Sequence, residues 1–208
     1  MGPPFILSIA IRVPNFDSVE KKVDFHTTFM NTDENLAVYE QAHIVQEYVQ
    51  SQRLTRGETV ILQQHEALFR DKKVLDIGVG GGRTTPALAA LAASYTGIDY
   101  SAAMVASCVA GFAGKEGIRF LQDDARKLAK FQDGSFDAAV FSFNGIDCVA
   151  MEDRPTVFAA VRRVLAPGGT FVFSFHNALY LPHLYRPHWS RNPLKWLSNY
   201  RHHKSWRH

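Results

Sequence analysis

From residue 73 onward, short apolar runs alternate with stretches of helical periodicity. Strand-like segments cover 73–77, 95–98, 118–121, 137–143 and 170–176, each four to seven residues long and rich in Val, Ile, Phe or Tyr. Helical patterns fill the gaps at 84–92, 101–112, a shorter 125–131, and 152–165. Ser101 is a natural N-cap, and Pro167-Gly168-Gly169 stops the last helix and turns the chain into the fifth strand. Strand, helix, strand in repetition predicts right-handed crossovers and an α/β fold, a doubly wound and mostly parallel sheet. Ligands in such sheets bind beyond the carboxyl ends of the strands, where strand order reverses.

The first 70 residues read differently. Helical periodicity at 35–52 and 59–69 brings Leu36, Tyr39, Ile44, Val45, Tyr48 and Val49 roughly onto one face. The expected organisation is a helical lid at 1–70, an α/β ligand-binding domain at 71–177 and a tail at 178–208.

A length of 208 residues is enough for one real core, and 46% hydrophobic with 21% charged residues excludes wholesale disorder or a fibrous repeat. No stretch approaches the roughly 18 apolar residues of a membrane span. The run at 5–11 is short, lacks a basic n-region and is followed by Arg12, which argues against a signal peptide. Ile6 stands where a myristoylation motif wants Ser or Thr. Cys108 and Cys148 form neither a disulfide framework nor a metal-binding pair, so a reduced, cytoplasmic setting is expected. The net charge of +3 is uneven, because 178–208 holds six Lys/Arg and no Asp/Glu. All the basic excess therefore lies in the tail.

The chemistry concentrates after the first strand. In Asp76-Ile77-Gly78-Val79-Gly80-Gly81-Gly82-Arg83-Thr84-Thr85, four glycines in five residues let backbone approach a ligand where a Cβ would collide. A dinucleotide fingerprint would put its third glycine at position 83, where Arg83 stands. Asp76 would repel a pyrophosphate, yet suits the ammonium group of an amino acid. A P-loop is excluded by the missing Gly-Lys-Ser/Thr. Asp99 ends the second strand 21 positions after Gly78, and a carboxylate there can accept both hydroxyls of a ribose. That feature alone fits a nicotinamide cofactor as well.

The run from Val74 to Thr85, the strand ending in Asp99, Gln122-Asp123-Asp124-Ala125, the strand through Phe141-Ser142-Phe143-Asn144, and Pro167-Gly168-Gly169 together resemble class I S-adenosylmethionine-dependent methyltransferases. The resemblance covers about residues 60–177. It implies a cofactor site of Asp76, Gly78, Gly80, Gly82, Arg83, Asp99, Tyr100, Met104, Asp123, Asp124, Ala125, Phe141, Ser142 and Phe143. Within it, Asp124 would accept from the adenine amino group, Tyr100 and Met104 would pack on the purine, and 141–143 would line the sulfonium. Asn144 and Tyr39 become candidate substrate contacts. Asp147 and His176 are candidate bases, with His26 and His43 as lid contributions, although in-line methyl transfer needs positioning more than a base. No metal is expected.

The implied function is methyl transfer to a small-molecule N or O acceptor. A non-catalytic cofactor-binding or truncated relative is the alternative, and a nicotinamide oxidoreductase a weaker one. The family's sheet continues with two further strands, whereas 178–208 holds no β-type run but all three Trp residues. The sheet is thus expected to lack its last two strands. Truncation, cover of the open edge by the N-terminal segment or a second copy in a homodimer, and an anion-binding tail all remain open, with nucleic acid and membrane not the expected partners.

Overall fold

The structure, a computed structural model, describes residues 6–12 and 32–176, with side chains for 35–175. Six strands make one sheet: β1 (Ile6–Arg12), β2 (Lys73–Ile77), β3 (Ser94–Asp99), β4 (Ile118–Gln122), β5 (Phe136–Phe141) and β6 (Leu165–His176), in the order β1-β6-β5-β2-β3-β4. β2 through β6 are parallel throughout. From β2 the chain steps to β3 and β4 on one side, then crosses to β5 and β6 on the other. The order therefore reverses between β2 and β5, and the crevice beyond their carboxyl ends is the place where such a sheet takes a ligand.

The helices are α1 (Thr32–Tyr39), α2 (Ala42–Gln50), α3 (Arg56–Gln64), α4 (Thr85–Leu91), α5 (Ala102–Gly111) and α6 (Arg154–Val164). Two apolar clusters hold the sheet. One packs Leu75, Ile77, Ala139 and Phe171 against Val157, Val161 and Val164 of α6. The other packs Val74, Tyr95, Phe120 and Val140 against Leu88, Cys108 and Phe69. No helix among the described residues is long and apolar enough to cross a membrane.

The fifth predicted strand begins earlier than expected, at Leu165, so Pro167-Gly168-Gly169 lies inside β6, where the pairing with β5 shifts register, rather than between helix and strand. Four further expectations change. The helix expected at 35–52 is two helices, broken at Gln41, whose backbone is extended. The fourth predicted strand stops at Phe141, because Phe143 and Asn144 adopt left-handed backbone angles of 52° and 58° that no strand can accommodate. The edge of β6 is not open: β1 lies beside it, so the N-terminal segment supplies the cover that a second copy was one way to supply. The expectation about 178–208 falls outside the described residues.

The fourth change is at 125–131, which forms turns rather than a helix. Arg163 of α6 reaches into this segment, donating to the carbonyls of Leu128 (2.8 Å), Phe131 (2.8 Å) and Lys127 (3.2 Å). Those carbonyls are held by a side chain instead of a helical ladder, and Leu128 is buried at a left-handed φ of 44°. Charge-assisted bonds are worth about 1.5–3 kcal/mol. Arg163→Ala is accordingly expected to lower the urea unfolding free energy by about 2 kcal/mol, whereas a helical 125–131 would make the variant nearly neutral.

Candidate cofactor and acceptor site

The glycine turn leaves β2 at the point of reversal. Gly78, Gly80 and Gly82 have φ of +66°, +53° and +81°, a region costly for any residue with a Cβ. Space forbids side chains as well. A Cβ on Gly78 would lie 2.8 Å from the Phe141 ring, and one on Gly81 would lie 2.4 Å from the main chain of Tyr48. The turn is therefore wedged between the end of β5 and α2.

Asp76, just before the turn, is 1% exposed. Its Oδ2 accepts from the Thr84 hydroxyl at 2.5 Å and the Tyr95 hydroxyl at 2.7 Å. Burial pushes its carboxyl up to about 6, against the pull of those two hydrogen bonds. The carboxylate expected to meet an ammonium group thus serves first as the acceptor that ties the turn to its surroundings.

Asp99 is also buried, at the carboxyl end of β3. One oxygen accepts from the Gly80 N–H (2.9 Å), the other from the Ser101 N–H (3.0 Å). Burial raises its pKa, and the backbone hydrogen bonds oppose the rise. A carboxylate has about four lone-pair sites, so two bonds leave acceptor capacity for a diol. Ser101 caps α5 as expected, accepting from the Met104 N–H, and Met104 is buried. Tyr100 follows, its hydroxyl buried with no hydrogen-bond partner in the described structure. An orphaned buried hydroxyl on the residue after Asp99 is the kind of group a polar ligand would satisfy.

On the far side of β3, Asp123 accepts from the N–H groups of Asp124 (2.8 Å) and Lys130 (3.1 Å). Asp124 is gripped by Arg126, with Nη2 at 2.7 Å and Nε at 3.0 Å, while Arg126 Nη1 reaches Asp153 at 2.9 Å. Burial works against ionisation of Asp124, but the Arg126 hydrogen bonds and charge outweigh it and hold the carboxyl low. Asp124 is thus an ionised acceptor already engaged by a neighbour, and Ala125 begins the turn beside it.

Beyond β5, Phe141 is buried against Gly78 and Gly145, followed by half-buried Ser142 and exposed Phe143. The strained Asn144 is held by its N–H donating to Ser174 Oγ at 2.8 Å. Left-handed non-glycine residues cost about 1–3 kcal/mol and gather at functional sites. Arg83 lies over the Phe143 ring at 4.0 Å and pairs with Glu58 of α3 at 2.8 Å. Asp147 is paired with Arg154 at 3.3 Å. Tyr39 points its hydroxyl at Cys148 Sγ (3.5 Å), its carbonyl accepts from Ser101, and its ring meets those of Tyr48 and Tyr100 edge-on. His43 is exposed on α2. The side chain of His176 and all of His26 lie outside the described residues.

Sequence reasoning missed Tyr48, Tyr95, Glu58, Ser174 and Arg126. Glu58 carried a readable signal: Thr55 and Glu58 form a capping box, and Glu58 bridges from that box to Arg83.

Residues 74–169 match the family model for the methyltransferase domain. Over 125 residues the chain is 34% identical to a ubiquinone biosynthesis O-methyltransferase of Methylococcus capsulatus, a match spanning 56% of this chain and 48% of that protein. Over 101 residues it is 36% identical to a demethylmenaquinone methyltransferase of Clavibacter sepedonicus, spanning 49% and 40%. The chain thus spans about half the length of the curated relatives it matches. Among solved structures, the PH0226 protein of Pyrococcus horikoshii OT3 superposes with a TM-score of 0.55 at 31% identity, covering 62% of this chain and 61% of that one.

The pKa of Asp76 has a consequence for stability. Its folded value, about 6, lies above the ordinary 3.8, so between these values the folded state binds more protons than the unfolded one. Its contribution therefore makes folding weaker as pH rises from about 4 to 6 and constant above that. Asp76→Asn is expected to flatten this part of the curve of urea midpoint against pH; an unchanged slope would mean that Asp76 keeps an ordinary pKa.

Proposed function

We propose that this chain, whose residues 74–169 match the family model for the methyltransferase domain, binds S-adenosylmethionine at the carboxyl ends of β2 and β3 and transfers its methyl group to a small-molecule N or O acceptor. The observation that carries the reading is Asp99, a buried carboxylate bonded to the Gly80 N–H of a glycine turn at the point of sheet reversal. The residues fit the cofactor: left-handed glycines, an acceptor for ribose hydroxyls, and an unpartnered buried hydroxyl on the following residue, Tyr100. Arg83 in the place of a third glycine argues against a dinucleotide.

When bound, S-adenosylmethionine supplies a methyl carbon already activated by a positive sulfur. The protein's part is orientation and exclusion of water, which can contribute on the order of 7–11 kcal/mol. In this reading Asp99 holds the ribose, the glycine turn and Asp76 serve the amino-acid half, and the strands' far side near Asp124 serves the adenine. Phe141 to Phe143 border the reacting centre. Asn144 and Tyr39 face the acceptor, and α1 and α2 keep solvent from it. Asp147, paired with Arg154, and His176 stand as candidate bases.

Two measurements test this. Asp99→Ala is expected to weaken S-adenosylmethionine binding by about 1.5 kcal/mol or more, roughly tenfold; unchanged affinity would mean the ribose lies elsewhere. Incubating the purified chain with S-adenosylmethionine and pools of amines, phenols, alcohols and carboxylates is expected to release S-adenosylhomocysteine with at least one pool. Tight binding without release from any pool would instead favour a cofactor-binding protein without turnover.

A further inference from the structure

We propose that Tyr95 is a positioning residue for the cofactor: its buried hydroxyl clasps the two ends of the glycine turn and holds the turn in its ligand-ready shape. The inference rests on the S-adenosylmethionine reading for its functional consequence, but the clasp itself stands on geometry.

Residues 77–84 leave β2 and enter α4; within them the Gly82 N–H donates to the Val79 carbonyl at 3.0 Å, a bond that does not by itself fix a glycine-rich segment. Its two flanks are instead tied together from below. The Tyr95 hydroxyl donates to Asp76 Oδ2 at 2.7 Å and lies 2.8 Å from Thr85 Oγ1. The phenol has one proton, and Asp76 takes it, so Thr85 must be the donor in the second bond. Thr84 donates to the same Asp76 oxygen. Three hydroxyls and one carboxylate thus close a ring joining β2, β3 and the first turn of α4. Burial, with the Asp76 charge beside it, keeps the phenol protonated, hence always a donor.

The ring of Tyr95 sits in the apolar cluster with Val74, Leu88 and Phe120, and meets Phe120 edge-on at 6.1 Å. A phenylalanine would fill that space equally well. A hydroxyl in such a place is retained only because it is bonded, and these bonds all concern the turn. The charged and titratable groups near Asp76 are Glu58, Arg83, Cys108 and Tyr95 itself; Glu58 favours its protonated form and Arg83 its ionised form. Tyr95 also favours the ionised form, through its hydrogen bond. Protonated Asp76 is a poorer acceptor for both hydroxyls, which slackens the clasp.

The test pairs Tyr95→Phe with Phe120→Leu, a substitution in the same cluster that touches none of these hydroxyls. S-adenosylmethionine affinity is measured from pH 5 to 8, and amide hydrogen exchange is followed in the ligand-free protein. For Tyr95→Phe the expected results are roughly tenfold weaker binding at neutral pH, an acid limb of the binding curve moved to higher pH, and faster exchange confined to 78–85. Phe120→Leu is expected to lower the melting temperature while leaving the position of the acid limb unchanged. Exchange at 78–85 unaltered by Tyr95→Phe, or altered equally by both variants, would overturn the proposal. If the wild-type chain binds no S-adenosylmethionine, the cofactor reading fails, and the exchange result alone decides whether Tyr95 is the clasp.

Discussion

A carboxylate enclosed by an apolar sheet must find donors, because leaving it unbonded costs several kcal/mol. Asp76 finds two, and their origins organise the site. Thr84 brings the far end of the glycine turn back to β2, and Tyr95 brings in β3. The turn cannot wander without stripping a buried charge of its partners. Asp99 adds a second tie from above, through the Gly80 N–H. Between the two acids the turn has an upper and a lower anchor, and its left-handed glycines supply the backbone angles that both anchors demand.

The same turn is a meeting point for the rest of the chain. Phe141 packs on Gly78 and Gly145, so the end of β5 and the loop beyond it are set against the turn with no room for a side chain. Arg83 carries the link to α3 through Glu58 and to the strained Phe143 through its ring. α2 lies against Gly81, where Gln52 also donates to the glycine carbonyl at 3.2 Å. The end of β5 with the loop beyond it, α3 and α2 thus all meet one short stretch of backbone. A small displacement there is felt on all three sides.

What was legible in the sequence was local. β2 has the predicted bounds, β3 and β4 differ by a residue or two, and the glycine turn, Asp99 and the Ser101 cap are written in contiguous residues. The segment at 125–131 misled because its periodicity was sound, while the side chain that overrides it, Arg163, lies 32 positions beyond its last residue, Phe131. The partner of β6 was illegible for a similar reason. The run in Ile6–Arg12 was visible as apolar, but its seat at the sheet edge is a long-range choice. In the sequence Tyr95 is a strand residue and no more, since only the fold brings its hydroxyl to Asp76. The Arg126 grip on Asp124 spans only two residues, but it depends on the turn that brings the guanidinium back onto the carboxylate.

The central claim is that this turn and its two acids form a site for S-adenosylmethionine rather than for a dinucleotide. Calorimetric titration of the purified chain with S-adenosylmethionine, and separately with NAD, tests it most directly. Saturable heat with S-adenosylmethionine near one equivalent and none with NAD is the predicted result. No heat with S-adenosylmethionine, or tighter binding of NAD, would contradict the account.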